Sequence, residues 1–300
     1  MIRRILLASA SALALAGTAL AADLPSRAPP PVYLPPPPTW TGFYAGLNAG
    51  GSWLGNNGVG TATTNVFDDP IIHFEGEGLG AALSQTGVAN VPAGGVIGGG
   101  QIGYNYQFSP AFLVGIEADI QGLGVHGHGH FVGFGQDTFP DDQVTSIVSS
   151  EKSVNWLGTV RGRLGWLATP TLLIYGDGGL AYGGVKASTA ITSIWTNPVE
   201  TFGEQWVPGF GSISKTQVGW TAGGGVEWMF MPNWSLKAEY LYYSLGNAHY
   251  ALSTNSVDFS VPATRTTNLS LIGTRFNGNI VRVGLNYHFN SGAPPVVARY

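Results

Sequence analysis

Between Trp40 and Phe289 apolar side chains alternate with polar ones or glycine in eight segments of 11 to 16 residues. A period of two is the spacing of a β-strand with two unlike faces. The segments are Gly42–Trp53, Ile97–Phe108, Phe112–Gly122, Ser153–Trp166, Leu172–Val185, Lys215–Phe230, Trp234–Gly246 and Gly278–Phe289. In the third, Phe112, Val114, Ile116, Ala118 and Ile120 share one face, and Gly115, Glu117, Asp119 and Gln121 share the other. The connections alternate as well. Three are short and each carries a proline that ends the ladder: Pro110, Pro170 and Pro232. Four are long: Leu54–Val96, Leu123–Lys152, Lys186–Ser214 and Asn247–Asn277. This pattern predicts an all-β fold. It is an eight-stranded antiparallel transmembrane up-and-down β-barrel, with four long extracellular loops and three short periplasmic turns.

The polar strand faces hold five acids, Glu117, Asp119, Asp177, Glu227 and Glu239, and four bases, Arg161, Arg163, Lys237 and Arg282. Glu117, Asp177 and Glu239 each lie seven residues after a turn proline, so they stand at one height. The interior of an eight-stranded barrel is just wide enough to be filled by side chains. Near-balanced charges at one level pair there. Turned outward, each would cost about 2–4 kcal/mol at the bilayer midplane. Nine such penalties exceed the ~5–15 kcal/mol that stabilises a typical domain. A water-soluble eight-stranded barrel, apolar inside, is the competing reading. The aromatics favour the membrane. Phe43, Tyr106, Phe112, Trp166, Trp228, Trp234, Tyr287 and Phe289 gather toward the short turns. Trp53, Trp156, Tyr182, Trp220 and Tyr242 gather toward the long loops. Two such rings are the girdles of the two membrane interfaces.

The N-terminus fits export. Arg3 and Arg4 precede the apolar run Ile5–Leu20, and Ala19-Leu20-Ala21 fits a cleavage site after Ala21. The expected organisation is residues 1–21 signal peptide, 22–39 proline-rich periplasmic linker, 40–289 outer-membrane barrel and 290–300 periplasmic tail. Charged residues are only 10% of the chain and the net charge is −4, with no basic cluster, so a nucleic-acid partner is not expected. The absence of cysteine removes disulfides and thiolate metal sites. The 45 glycines among 300 residues fit tightly coiled strands.

Trp40-Thr41-Gly42-Phe43-Tyr44-Ala45-Gly46-Leu47-Asn48-Ala49-Gly50 resembles the first strand of the small outer-membrane β-barrels of alphaproteobacteria. That family is the porin-like, surface-antigen group, related in fold to OmpA- and opacity-type barrels. The segments Trp228–Tyr242 and Asn279–Phe289 resemble its last strands. The resemblance implies a final-strand signal read by the barrel-assembly machinery, matched here by Arg282, Gly284, Tyr287 and Phe289. The family usually ends at that aromatic, whereas this chain continues from Asn290 to Tyr300.

His126, His128 and His130 form His-Gly-His-Gly-His, which puts three imidazoles on one face of an extended segment. Imidazole binds metals and haem iron, and a polar loop tip or a strand extension is the plainer reading. No cofactor is expected. No G-x-S-x-G nucleophile motif occurs, and inward-facing His288 has no serine partner evident from the sequence, so an enzyme is not expected. The expected function is a structural outer-membrane surface protein of a Gram-negative bacterium. Its interior is plugged by ion pairs and its loops serve recognition or adhesion. A narrow porin-like channel and a haem- or metal-binding protein are the alternatives. The expected partners are outer-membrane lipids and lipopolysaccharide, the assembly machinery, and an extracellular partner that the loops do not identify.

Overall fold

The computed structural model describes residues 39–68, 77–136, 143–196, 205–258 and 263–289. The expected leader with Ala21, the proline-rich stretch and the tail after Phe289 lie outside them. In chain order the elements are β1 (Gly42–Leu54), β2 (Gly58–Asp68), the helix α1 (Glu77–Gln85), β3 (Gly87–Asn90), β4 (Gly94–Gln107), β5 (Phe112–Gln136), β6 (Gln143–Thr169), β7 (Leu172–Thr196), β8 (Gln205–Val207), β9 (Gly209–Met231), β10 (Trp234–Asp258) and β11 (Ala263–His288). No described helix is long and apolar enough to cross a membrane.

Strands β1, β4, β5, β6, β7, β9, β10 and β11 each pair antiparallel with the next. β11 returns to β1, with Ala45 opposite Tyr287, and closes a ring of eight. β2 extends the far end of β11, β3 pairs with β2, and β8 bridges β7 and β10. At the short-turn end the turns are tight. In the first, the Ser109 hydroxyl accepts from the backbone N–H groups of Ala111 and Phe112.

The expectation of four long loops is corrected. β5 continues to Gln136, β6 starts at Gln143, β7 reaches Thr196, β9 starts at Gly209, β10 reaches Asp258 and β11 starts at Ala263. Much of what reads as loop is therefore strand, and the first long connection contains β2, α1 and β3. The cause is that the apolar outer face and the polar inner face of β5, β6 and β7 exchange partway up, which ends the pattern that the eight segments follow. Near the short turns the outward residues are apolar and exposed, as Ile116, Ile120, Leu164, Leu180 and Val226 are, while the charged residues point inward. Further up the chemistry inverts. Val125, Val154, Val185, Val148 and Ile191 are buried inside, and His126, Glu151 and Lys186 are exposed outside. The outward apolar run lasts roughly ten residues per strand. At ~3.3 Å per residue and a ~40° tilt it is about 25 Å tall, the height of an outer-membrane apolar band. A soluble protein rarely exposes so large a contiguous apolar surface.

The interior is filled in layers. Trp40, Leu113, Leu167, Leu173 and Met229 form an apolar layer at the short-turn end. Trp40 donates from its indole nitrogen to the Pro170 carbonyl at 3.0 Å, which holds the ring there. Above it lies the charged layer, then Leu54, Ile97, Leu123, Leu157, Tyr243 and Phe276, then Val59, Val91, Leu252 and Ile272. Helix α1 sits at the far end, its Ser84 and Gln85 bonded to Ser146, Ser193 and Thr254 on the wall. Lys152 is buried in the upper interior, where its ammonium donates to the backbone oxygens of Asn56 (3.0 Å) and Arg275 (2.9 Å) and stands over the Phe276 ring. Burial, with no carboxylate beside it among the described residues, pushes this group down to about 8.

Glycine answers to this filling. A Cβ on Gly127 or Gly129 of β5 would meet the backbone of Pro92 or Asn90, and one on Gly133 or Gly135 would meet the backbone of α1. The chain segment running inside thus lies directly against a glycine track. In β10, Gly246 takes a positive φ of 85° at the register shift after Ser244. That bulge exchanges which residues face inward, from Leu245 below it to Ala248 above.

Candidate functional site

The charged layer draws on six strands. Four opposite-charge pairs are direct cross-strand neighbours: Glu117 with Arg161, Asp177 with Arg163, Glu227 with Lys237, and Glu239 with Arg282. Directly opposed side chains in a sheet lie within contact of each other, and two of these pairs, Glu117 with Arg161 and Glu239 with Arg282, are ion pairs in the layer. The barrel's narrow bore creates the rest. Arg161 is fully buried and reaches Glu117 and Asp177, and it donates to Asp119 at 2.8 Å and Glu239 at 3.0 Å. Arg282 bridges Glu239 at 2.6 Å and Asp119 at 2.8 Å. Lys237 donates to both oxygens of Glu117, and Arg163 donates to Glu227 at 2.8 Å while stacking 4.0 Å from the Tyr175 ring centre. Tyr44 and Tyr175 donate to Glu117 and Glu239. Five carboxylates thus share four cations.

Beneath them lies a constellation that sequence reading missed. Ser235 Oγ is 2.9 Å from His288 Nε2 and donates to Glu227 Oε1 at 2.6 Å. A hydroxyl, an imidazole and a carboxylate together are the raw material of a hydrolase triad. The geometry does not make one. The carboxylate and the serine both approach Nε2, Nδ1 has no partner, and Ser235, Glu227 and His288 are all fully buried. Ser235 is therefore not an exposed nucleophile. The signal that locates this group is height: Ser235 follows Pro232 by three residues and His288 precedes Phe289 by one.

Of the residues implied by the final-strand resemblance, Arg282 and Gly284 point inward, and Tyr287 and Phe289 point outward with their rings 5.1 Å apart. His126, His128 and His130 stand on the outer face of β5, above the apolar band, in a strand extension and not at a loop tip. Their intervening glycines are the track that the inner segment lies on. Among the described residues no three His, Cys, Asp or Glu side chains are grouped to hold a metal ion.

A family model described as the outer membrane protein beta-barrel domain matches residues 6–289. The chain is 35% identical over 289 residues to the 31 kDa outer-membrane immunogenic protein of Brucella melitensis, spanning 96% of this chain and 100% of that one. It is 34% identical over 160 residues to the 22 kDa outer membrane protein of Rhizobium leguminosarum bv. viciae, spanning 53% and 57%. Among solved structures it is similar to the outer membrane protein OprG from Pseudomonas aeruginosa, at 10% identity and a TM-score of 0.34, over 84% of this chain and 98% of that one. A match over nearly the whole length, to a domain whose strands must face lipid outside and close on themselves, agrees with the ring and its outward apolar band, and the chain belongs to the outer membrane protein β-barrel domain family.

Proposed function

We propose that the protein is a closed outer-membrane anchor that presents its far hairpin ends outside the cell for recognition or adhesion, and that it neither conducts solutes nor catalyses a reaction. The observation that carries this reading is the inversion of apolar and polar faces partway along the long strands β5, β6 and β7. In this reading the band near the short turns spans the membrane, those turns and both chain ends face the periplasm, and the upper barrel stands in water. Ion pairs, apolar layers and α1 close the bore. The test is a preparation from intact cells. External protease is expected to cut at the far hairpin ends and to leave a folded core whose gel mobility shifts on heating. In planar bilayers no stable conductance steps are expected. Cleavage at the short turns from outside would overturn the orientation, and large regular steps would overturn the closed bore.

Assembly follows from the final strand. Its outward Tyr287 and Phe289 would be read by the assembly machinery. Phe289→Ala is expected to lower the outer-membrane level several-fold while leaving synthesis unchanged, as measured by fractionation. Equal levels would remove Phe289 from that role.

A further inference from the structure

Above the apolar band, the outer wall of β5, β6, β7 and β9 carries a compact polar block. One row across the four strands is His126, Ser153, Lys186 and Ser214, each the register partner of the next. The row above it begins His128, Glu151, Ser188. These side chains line a cleft of about 550 Å³. Among the described residues none of them makes a side-chain hydrogen bond or an ion pair. The block is framed by apolar groups: Trp156, Tyr182 and Trp220 of the girdle lie below it, and Val132, Ile147 and Phe210 lie above. Register shifts between Gly122 and Val125 in β5, and between Val154 and Trp156 in β6, lie directly beneath. Bulges bend the strands that carry them, and the cleft opens where these strands bend.

We propose that this cleft binds the phosphorylated sugar headgroup of an outer-leaflet glycolipid. The proposal rests on the orientation given above, which sets the lower row at headgroup height, one or two outward positions beyond the aromatic girdle. There Lys186 supplies an ammonium and His126 an N–H donor for phosphate oxygens, the strongest acceptors a headgroup offers. Serine hydroxyls and the Glu151 carboxylate suit sugar hydroxyls, and they extend away from the membrane as the sugars do. The acyl chains would lie along the apolar wall beneath.

The test uses the full chain in phosphatidylcholine nanodiscs doped with lipid A, with retained lipid counted by native mass spectrometry. Wild type is expected to enrich phosphorylated lipid A at least tenfold over its bulk fraction. Lys186→Gln combined with His126→Gln is expected to bring enrichment down to the bulk level. Arg275→Gln, an exposed cation on β11 outside the cleft, is expected to change nothing. Equal retention by wild type and double variant would overturn the proposal. So would equal retention of dephosphorylated lipid A, and so would binding of glucosamine phosphate as tight as that of the lipid, which would make a free sugar phosphate the ligand. Failure of the orientation is told apart by Lys186→Cys. The chain has no native cysteine, so a membrane-impermeant maleimide on intact cells should label only this site. No labelling would overturn orientation and cleft together, whereas labelling without enrichment would overturn the cleft alone.

Discussion

Arg161→Met is expected to destabilise the folded barrel by about 3–5 kcal/mol, the cost of leaving buried charge without its partner. Arg161 touches four carboxylates at once, Glu117, Asp119, Asp177 and Glu239. Lys237 and Arg282 already serve Glu117, Asp119 and Glu239, so the residue left alone is Asp177. A second change, Asp177→Asn, should therefore recover a substantial part of the loss. Arg163→Met should cost less, because Glu227 keeps its bonds from Ser235 and Asn286. The measurement is the urea midpoint of the detergent-folded protein, followed by heat-modifiable gel mobility. An unchanged midpoint for Arg161→Met would mean that the network does not hold the strands together.

The second large effect concerns the outer wall. Ile116 is 55% exposed on β5, near the middle of the apolar band. Ile116→Arg is expected to cost about 2–4 kcal/mol in a bilayer, the midplane penalty for a cation. The same change at Ser149, outward on β6 above the band, should fall within about 0.5 kcal/mol of neutral, as surface substitutions do. Folding titrations into lipid vesicles would compare the two. A water-soluble barrel would tolerate both. Equal tolerance would return the chain to the soluble reading, and a steep difference places the membrane boundary between the two heights.

How much of this is legible in sequence depends on which solvent a strand meets. The lower half of each strand reads plainly, because lipid demands an apolar outer face and the narrow bore keeps Glu117, Arg161 and Arg282 inside. In the upper half of the long strands the faces exchange. Val125 and Val154 then point inward while His126 and Glu151 point outward, so the alternation persists with its meaning reversed, and serine and threonine blur it. The bulge at Gly246 also breaks the count at the crossing. Helix α1 carries Gly78 and Gly80 within nine residues and gives almost no helical signal. The Ser235–His288 contact is 53 residues apart in sequence and needs the β10–β11 register to be seen.

The long strands also separate two kinds of change. From Val125 to Gln136, β5 climbs roughly 25–30 Å above the level where its outer face turns polar, taking ~3.3 Å per residue at a ~40° tilt. The upper ends of these strands stand clear of both the charged layer and the outward apolar band. Register is fixed far below them, so substitutions there carry little folding cost. The far end of the barrel is thus free to drift, while the frame below it stays constant.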